Sequence, residues 1–178
     1  YEMLRSLVGS EMCIRDRADT GRLDQVSRGV YTLPEVWEDE FVSIQERYKR
    51  GVFALDTALF LHDLTDRTPH KFHMAFPYGY NTSSPKAAGI LCSCKKEPYY
   101  SLGIALVDTP AGNTVRAYNA EKTLCEILKP ISHTDIQIIT DAFKRYAGRK
   151  DKNIPLLSEY AHQLRVEKRL RPYLEVLL

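Results

Sequence analysis

Two spacings of apolar residues follow one another along the chain, and they predict its secondary structure. In the first part, short apolar runs bounded by glycine, proline and polar residues predict strands. Residues 22–26 and 29–33 are two such runs joined by Ser27 and Arg28, and they predict a β-hairpin that Pro34 ends. Further strands are predicted over residues 71–76, 90–95, 102–107 and 114–118.

Apolar residues three and four positions apart predict helices in the rest of the chain. Residues 38–50 begin with acidic and end with basic side chains, as the helix dipole favours. Asn119 is an N-cap residue type and precedes the predicted C-terminal helices. The pattern predicts an α+β fold: a hairpin, then an α+β domain with a small, mostly antiparallel sheet and a C-terminal helical bundle. The predicted helices are 38–50, 55–64, 120–128, 134–147, 154–164 and 166–177, and residues 78–85 are predicted to form a polar loop.

Composition is that of an ordinary globular protein. The 178 residues are 44% hydrophobic and 27% charged, which excludes disordered and fibrous classes. The formal net charge of +2 does not by itself demand a polyanionic partner. No apolar run approaches the ~18 residues of a membrane span, so no membrane partner is expected. The four cysteines lack a regular disulfide spacing, and we therefore expect a reducing, cytoplasmic location (Cys13, Cys92, Cys94, Cys125).

The first seventeen residues differ in character from the rest. Residues 1–17, and in particular SLVGSEMCIRDR, resemble a translated sequencing adapter and have no lasting periodicity. We therefore expect them to be an artefact and the natural N-terminus to be missing. The alternative is an amphipathic helix, because Leu4, Leu7 and Val8 have helical spacing.

Positive charge is concentrated at the C-terminal end. Residues 142–178 carry nine Lys and Arg and four Asp and Glu, a net charge of +5, whereas residues 18–141 carry thirteen and sixteen, a net charge of −3. Such a patch can contact a phosphate backbone, although a solvated helix face is the more common meaning of a charge run. The candidate DNA-binding residues at one predicted bend are Arg145, Arg149, Lys150 and Lys152, and a second basic group follows at Arg165, Lys168, Arg169 and Arg171.

Side chains with metal or nucleophilic chemistry are poorly spaced for a site. His70 and His73 would point to opposite faces of a strand, and Cys92 and Cys94 lack the spacing of a zinc knuckle. Cys125 lies within an amphipathic helix and is predicted to be a small core residue. We therefore predict that the protein holds no metal and no cofactor.

Catalytic motifs are also missing from the sequence. No nucleophile elbow and no glycine-rich phosphate loop occurs. Asp108 stands near a predicted strand end, but no E-x-K tripeptide of a metal-dependent nuclease follows it. The sequence therefore predicts a protein that is not an enzyme.

Four blocks carry a resemblance to a known family. GRLDQVSRGVYTLP, residues 21–34, looks like the wing of a winged helix-turn-helix domain and resembles the signature that closes the DNA-binding domain of AbiEi-family bacterial antitoxin-regulators. ALDTALFLHDL, residues 54–64, is similar to the family's helix ending in L-H-x-L. YNAEKTLCEIL, residues 118–128, is similar to its E-[RK]-T-L-x-[DE]-x-L helix, and RPYL at 171–174 fits its C-terminal end.

This resemblance implies a type IV toxin–antitoxin system. The protein would repress its own operon by binding an inverted repeat in operator DNA, with possible self-association on the DNA, and would counteract a nucleotidyltransferase-like toxin without a stable complex. Its role would be abortive infection against phage. Arg28 at the wing tip, and Arg22 beside it, become candidate DNA-binding residues. From the residues themselves, His62 is predicted to be a polar contact at a helix end, and Glu121 a first-turn acid that can also pair with a basic helix.

The same resemblance divides the chain into three parts. Residues 1–17 are the expected artefact, residues 18–36 are the remnant wing hairpin of an N-terminal winged helix-turn-helix domain, and residues 37–178 are an antitoxin domain. The recognition helix that should precede the wing is missing, so the chain is expected to be N-terminally truncated. Two other functions stay open: a protein-interaction module that uses the C-terminal helices, and a metal-dependent nuclease of restriction-like fold that uses Asp108.

Overall fold

The computed structural model describes residues 24–27, 30–32 and 39–177, and the side chains of residues 39–175. The chain divides into two units, residues 1–47 and residues 48–178. In the first unit, strands β1 (Asp24–Ser27) and β2 (Val30–Thr32) pair antiparallel, which confirms the predicted hairpin. Helix α1 (Glu40–Arg47) follows. The expected artefact and the candidate residues Arg22 and Arg28 lie outside the described residues.

The second unit is built on a five-stranded mixed sheet. Its spatial order is β5-β4-β3-β7-β6, so β5 and β6 form the two edges and β3 lies at the centre. The strands are β3 (Val52–Phe53), β4 (His73–Pro77), β5 (Leu91–Lys95), β6 (Ile104–Asp108) and β7 (Thr114–Tyr118).

The strand directions correct one prediction. The sheet was expected to be mostly antiparallel, but β4 with β5 and β3 with β7 are parallel, while β3 with β4 and β6 with β7 are antiparallel. The parallel pair β4–β5 needs a crossover, and helix α3 (Ser83–Ala87) supplies it where a polar loop was predicted. The α+β class itself is confirmed.

Of the six α-helices described in the second unit, five follow the predicted positions, and the short α3 is the exception. Side-chain caps fix three of their starts. Asn119 accepts from the Lys122 N–H at 3.0 Å, as predicted, and Asp135 and Asn153 accept from main-chain N–H groups at 2.7 and 3.0 Å. The helices are α2 (Leu55–Leu61), α4 (Ala120–Ile127), α5 (Ile136–Ala147), α6 (Ile154–Gln163) and α7 (Glu167–Leu177), with a 3₁₀ turn at Pro130–Ser132.

The main hydrophobic core lies where the helices pack around α4, every residue of which is buried. Each fully buried leucine or phenylalanine there contributes about 1.5–3 kcal/mol. Cys125 is buried in this core, as predicted. None of the helices in the described residues is both long and apolar enough to cross a membrane. The core is drawn from five helices, with Leu59, Leu124, Phe143, Leu157 and Leu170 as examples.

Candidate functional site

The predicted basic residues of the C-terminal part lie together at the bend between α5 and α6. Helix α5 ends at Ala147 with Gly148 as its C-cap, and Asn153 caps the start of α6, so a short turn separates the two helices. Arg145 lies in the last turn of α5, and Lys150 and Lys152 are exposed in the turn itself. The structure therefore brings these predicted residues onto one short segment, which we name the basic bend (Arg145, Arg149, Lys150, Lys152).

Acidic groups engage the two arginines of the basic bend. Arg149 forms two hydrogen bonds with Asp151, Nε to Oδ1 at 2.9 Å and Nη2 to Oδ2 at 2.7 Å. This paired geometry holds the pKa of Asp151 down to about 2. Arg145 forms an ion pair with the exposed Asp66. Part of the positive charge that the sequence placed here is therefore balanced by neighbouring carboxylates.

The two lysines keep more of their capacity to bind an anion. Lys152 donates one hydrogen bond, from Nζ to the Ala147 carbonyl at 2.6 Å, so its ammonium group retains two further N–H donors. Lys150 is exposed on the same turn. A DNA-binding role for the basic bend stays a prediction, and within it the lysines are the residues best able to contact phosphate.

A cleft of about 510 Å³ opens between the end of α2 and the edge strand β6. Its polar lining consists of His62, Asp63, Asp108, Thr109 and Arg149. His62 Nε2 lies 2.7 Å from the Tyr118 carbonyl and must donate to it, because a carbonyl can only accept. Burial lowers the pKa of His62, which favours this neutral form. The prediction of His62 as a polar contact at a helix end is confirmed.

Arg149 forms one wall of the cleft and links it to the basic bend. Its Nη1 donates to the His62 carbonyl at 2.8 Å, while its other donors hold Asp151. These hydrogen bonds fix the position of the guanidinium. The Arg149 side chain is 31% exposed. The Leu106 side chain, on the edge strand that lines the opposite wall, is 73% exposed.

A buried ionic network, which sequence analysis missed, lies on α4. Lys122 is fully buried, and its Nζ donates to the Tyr99 carbonyl at 2.5 Å and the Leu102 carbonyl at 2.7 Å. The same Nζ lies 3.4 Å from the centre of the Tyr118 ring and 3.8 Å from Glu126 Oε1. Desolvation lowers the pKa of Lys122 to about 7.

Glu126 completes the buried ionic network. Its Oε1 forms an ion pair with Lys95 on β5, and its Oε2 is buried without a hydrogen-bond partner among the described residues. Only one side of the network, at Lys95, reaches solvent, with an exposed fraction of 18%. The Lys95–Glu126 ion pair thus connects α4 to the sheet. Each charge stabilises the other, because removing one would leave the second buried and unpaired.

Glu121 joins α4 to the basic bend through a tyrosine. The Tyr146 hydroxyl donates to Glu121 Oε1 at 2.8 Å and accepts from the Asn153 N–H at 2.8 Å. Burial and the bond to Glu121 raise the pKa of Tyr146. Glu121 is a first-turn acid as predicted, but its partner here is a tyrosine hydroxyl and not a basic side chain.

The histidines and cysteines that could have bound a metal lie in separate environments. His73 Nδ1 is 3.8 Å from Asp56 Oδ2, and burial lowers the pKa of His73. Cys92 is half-buried and Cys94 is exposed on β5. Within residues 39–175, no three of the His, Cys, Asp and Glu side chains come together in a way that could hold a metal ion.

Comparisons with known proteins bear on the fold alone. No protein-family model and no curated protein matches the chain. Among solved structures, the chain is similar to the RV2827C protein from Mycobacterium tuberculosis, with a TM-score of 0.58 and 15% sequence identity. The match covers 85% of this chain and 59% of that protein, so the chain spans less than two thirds of its length.

Proposed function

We propose that the protein is an antitoxin and transcriptional autorepressor of a type IV toxin–antitoxin operon in the bacterial cytoplasm. It would bind an inverted repeat in operator DNA through a winged helix-turn-helix domain, as two or more copies. It would counteract a nucleotidyltransferase-like toxin without forming a stable complex, and so act in abortive infection against phage. The observation that carries this proposal is the order of the four AbiEi-like blocks along the chain.

One contact between two of these blocks supports the proposal. His62 of the block at 54–64 donates to the carbonyl of Tyr118, which begins the block at 118–128. Two blocks that are separate in the sequence are therefore in contact, as expected if they belong to one fold.

The first experiment is a gel-shift titration of the protein expressed from its natural start codon with duplex DNA from upstream of its gene. Affinity should be higher for the inverted repeat than for a scrambled duplex, and Arg28→Ala should weaken it. The double variant Lys150→Gln/Lys152→Gln should reduce affinity on both duplexes and lower the salt dependence by about 2 in slope, because two phosphate contacts are lost. Lys86→Gln, an exposed lysine on α3, is the matched control. Binding that ignores operator sequence and all these changes would refute the DNA-binding part.

The antitoxin part needs a separate assay in cells. Co-expression of the chain with the neighbouring nucleotidyltransferase-like toxin should restore growth, while the two proteins should not co-purify. Stable co-purification would favour the protein-interaction module instead.

A metal-dependent nuclease is the competing proposal, and one observation favours it. Asp63 and Asp108 both line the cleft beside Arg149, where two carboxylates could bind a divalent cation near a phosphate. Magnesium-dependent cleavage of DNA that is lost in Asp108→Asn would support it, whereas cleavage that persists in a chelator would exclude it.

A further inference from the structure

Aromatic and basic side chains gather where strands β4 and β5 end, far from the basic bend in the sequence. These two strands are parallel, so the residues that follow them emerge at the same end of the sheet, and the Tyr78 N–H donates to the Lys95 carbonyl at 2.8 Å. Strand β3 is antiparallel to β4, so Arg50, which precedes β3, reaches this end of the sheet as well. We name this surface the aromatic rim (Arg50, Tyr78, Tyr80, Lys96, Tyr99, Tyr100).

Five of the six residues of the aromatic rim are linked by contacts that run in series from Tyr78 to Tyr80. Lys96 Nζ lies 4.8 Å from the centre of the Tyr78 ring, and the Arg50 guanidinium lies 6.0 Å from the centre of the Tyr80 ring. The Tyr100 hydroxyl donates to the Arg50 carbonyl at 2.5 Å, and the Tyr100 N–H donates to the Lys96 carbonyl at 3.1 Å. These contacts place the five residues next to one another, and Tyr99 directly precedes Tyr100 in the sequence.

Two tyrosines of the rim present their rings to solvent. The exposed fraction is 70% for Tyr78 and 41% for Tyr99, both high for large aromatic side chains. Tyr80 is held more firmly, because its ring stacks on Phe76 at a centroid distance of 4.6 Å and an angle of 10°. Four of the 11 tyrosines of the chain lie in the rim, so aromatic surface is concentrated here and not scattered.

The charge around these rings is positive. Arg50 and Lys96 lie against the tyrosines, and Arg116 approaches from β7, where its guanidinium donates to the Lys49 carbonyl at 2.9 Å and lies 3.5 Å from the Tyr100 hydroxyl. The acid next to the rim in the sequence, Glu97, accepts a hydrogen bond from Ser101 Oγ at 2.6 Å. Exposed aromatic faces within a basic surface are the combination that binds unpaired bases together with their phosphates.

We propose that the aromatic rim binds single-stranded nucleic acid, with bases stacked on Tyr78 and Tyr99 and phosphates held by Arg50 and Lys96. A duplex does not fit this chemistry, because its base faces are covered by their neighbours and only its edges and backbone are open to a protein. The site is therefore separate from the operator-binding function proposed above, and either can fail without the other.

The test is fluorescence anisotropy of the full chain with labelled oligothymidylate and oligouridylate of about 12 nucleotides, the range that such sites cover. Both probes should bind, and an unlabelled duplex of equal length should compete poorly. Tyr78→Ala should raise the Kd by about 10-fold, the loss expected for one stacked base, whereas Tyr78→Phe should leave it unchanged. Lys96→Gln should weaken binding and reduce the salt slope by about 0.7.

Two controls keep this test decisive. Lys71→Gln removes an exposed lysine that precedes β4, at the opposite end of that strand from Tyr78, and should leave single-strand affinity unchanged. Thermal unfolding of each variant checks the fold, which Tyr78→Ala should not disturb, because the side chain is largely exposed. The proposal is wrong if the wild-type chain does not bind either probe at low salt, if Tyr78→Ala and Tyr99→Ala bind as well as wild type, or if the duplex competes equally. Preference between the two probes would tell RNA from DNA as the ligand.

Discussion

The buried Lys122 should make the stability of the protein depend on pH. Its ammonium group is fully buried, and desolvation lowers its pKa to about 7 from the ordinary value of 10.5. Between these two values the unfolded chain binds more protons than the folded one, so the free energy of unfolding rises with pH. Integrated over the titration, the contribution of the Lys122 side chain to the free energy of unfolding rises by about 2 kcal/mol from pH 7 to pH 9.

The substitution that isolates this effect is Lys122→Met, which keeps the length of the side chain and removes its titration. The variant should be less stable than wild type at pH 9, since the Tyr99 and Leu102 carbonyls lose their buried donor, at a cost of about 1–3 kcal/mol each. The difference in the free energy of unfolding between wild type and variant should narrow toward pH 7, because the wild-type protein is destabilised there by the buried charge of Lys122.

Urea unfolding followed by circular dichroism at several values between pH 7 and pH 9 measures both curves. Lys150→Met, at an exposed position, is the control, and its free energy of unfolding should depend on pH in the same way as that of wild type. If the wild-type and Lys122→Met curves also run parallel, the lysine is not neutralised by burial and the reasoning fails.

Three further predictions concern other contacts of the second unit. Tyr146→Phe should lower the free energy of unfolding by about 1–3 kcal/mol in urea titrations, because a buried carboxylate and a main-chain N–H lose their shared partner. Gly103→Ala should destabilise the protein more than Gly112→Ala in the same assay. Both glycines have a positive φ, +67° and +81°, but of the two only Gly103 has a neighbour that an added Cβ would meet, the Asn119 carboxamide oxygen at 2.9 Å. Asp151→Asn should release Arg149 from its paired carboxylate and raise duplex DNA affinity, with a salt slope steeper by about 1 in a gel shift; an unchanged slope would exclude Arg149 as a phosphate ligand.

The helices could be predicted from the sequence because their signals are local. Helix α5 begins at the Asp135 cap and ends before Gly148, and its apolar residues recur at helical spacing. Strand β3 could not be predicted, because a two-residue strand has no periodicity of its own, and it belongs to the sheet only through its neighbours β4 and β7. For the same reason the parallel pairing was missed, since strand direction depends on long-range connections.

The buried ionic network shows a different limit of sequence analysis. Charged side chains are usually exposed, so the sequence predicts Glu121 as a first-turn acid and indicates no buried role for Lys122. The carbonyls that accept from Lys122 belong to Tyr99 and Leu102, which lie 23 and 20 positions earlier, and no local pattern connects them. The local pattern points the other way: Lys122, Thr123 and Glu126 lie on one polar face of an amphipathic helix, which predicts exposure, and their burial follows only from the elements that pack against that face.

The family-like block at 118–128 is therefore a poor target for tests of function. Its charged members, Glu121, Lys122 and Glu126, are all buried, and each is committed to an internal partner. A substitution in this block removes one group of a buried pair and leaves the other without a partner. A variant that lost activity would then have lost it because the protein unfolds, and not because a functional contact is missing. The exposed lysines of the basic bend and the exposed tyrosines of the aromatic rim do not have this defect. Variants at those two surfaces can separate duplex binding from single-strand binding while α4 and its contacts stay intact.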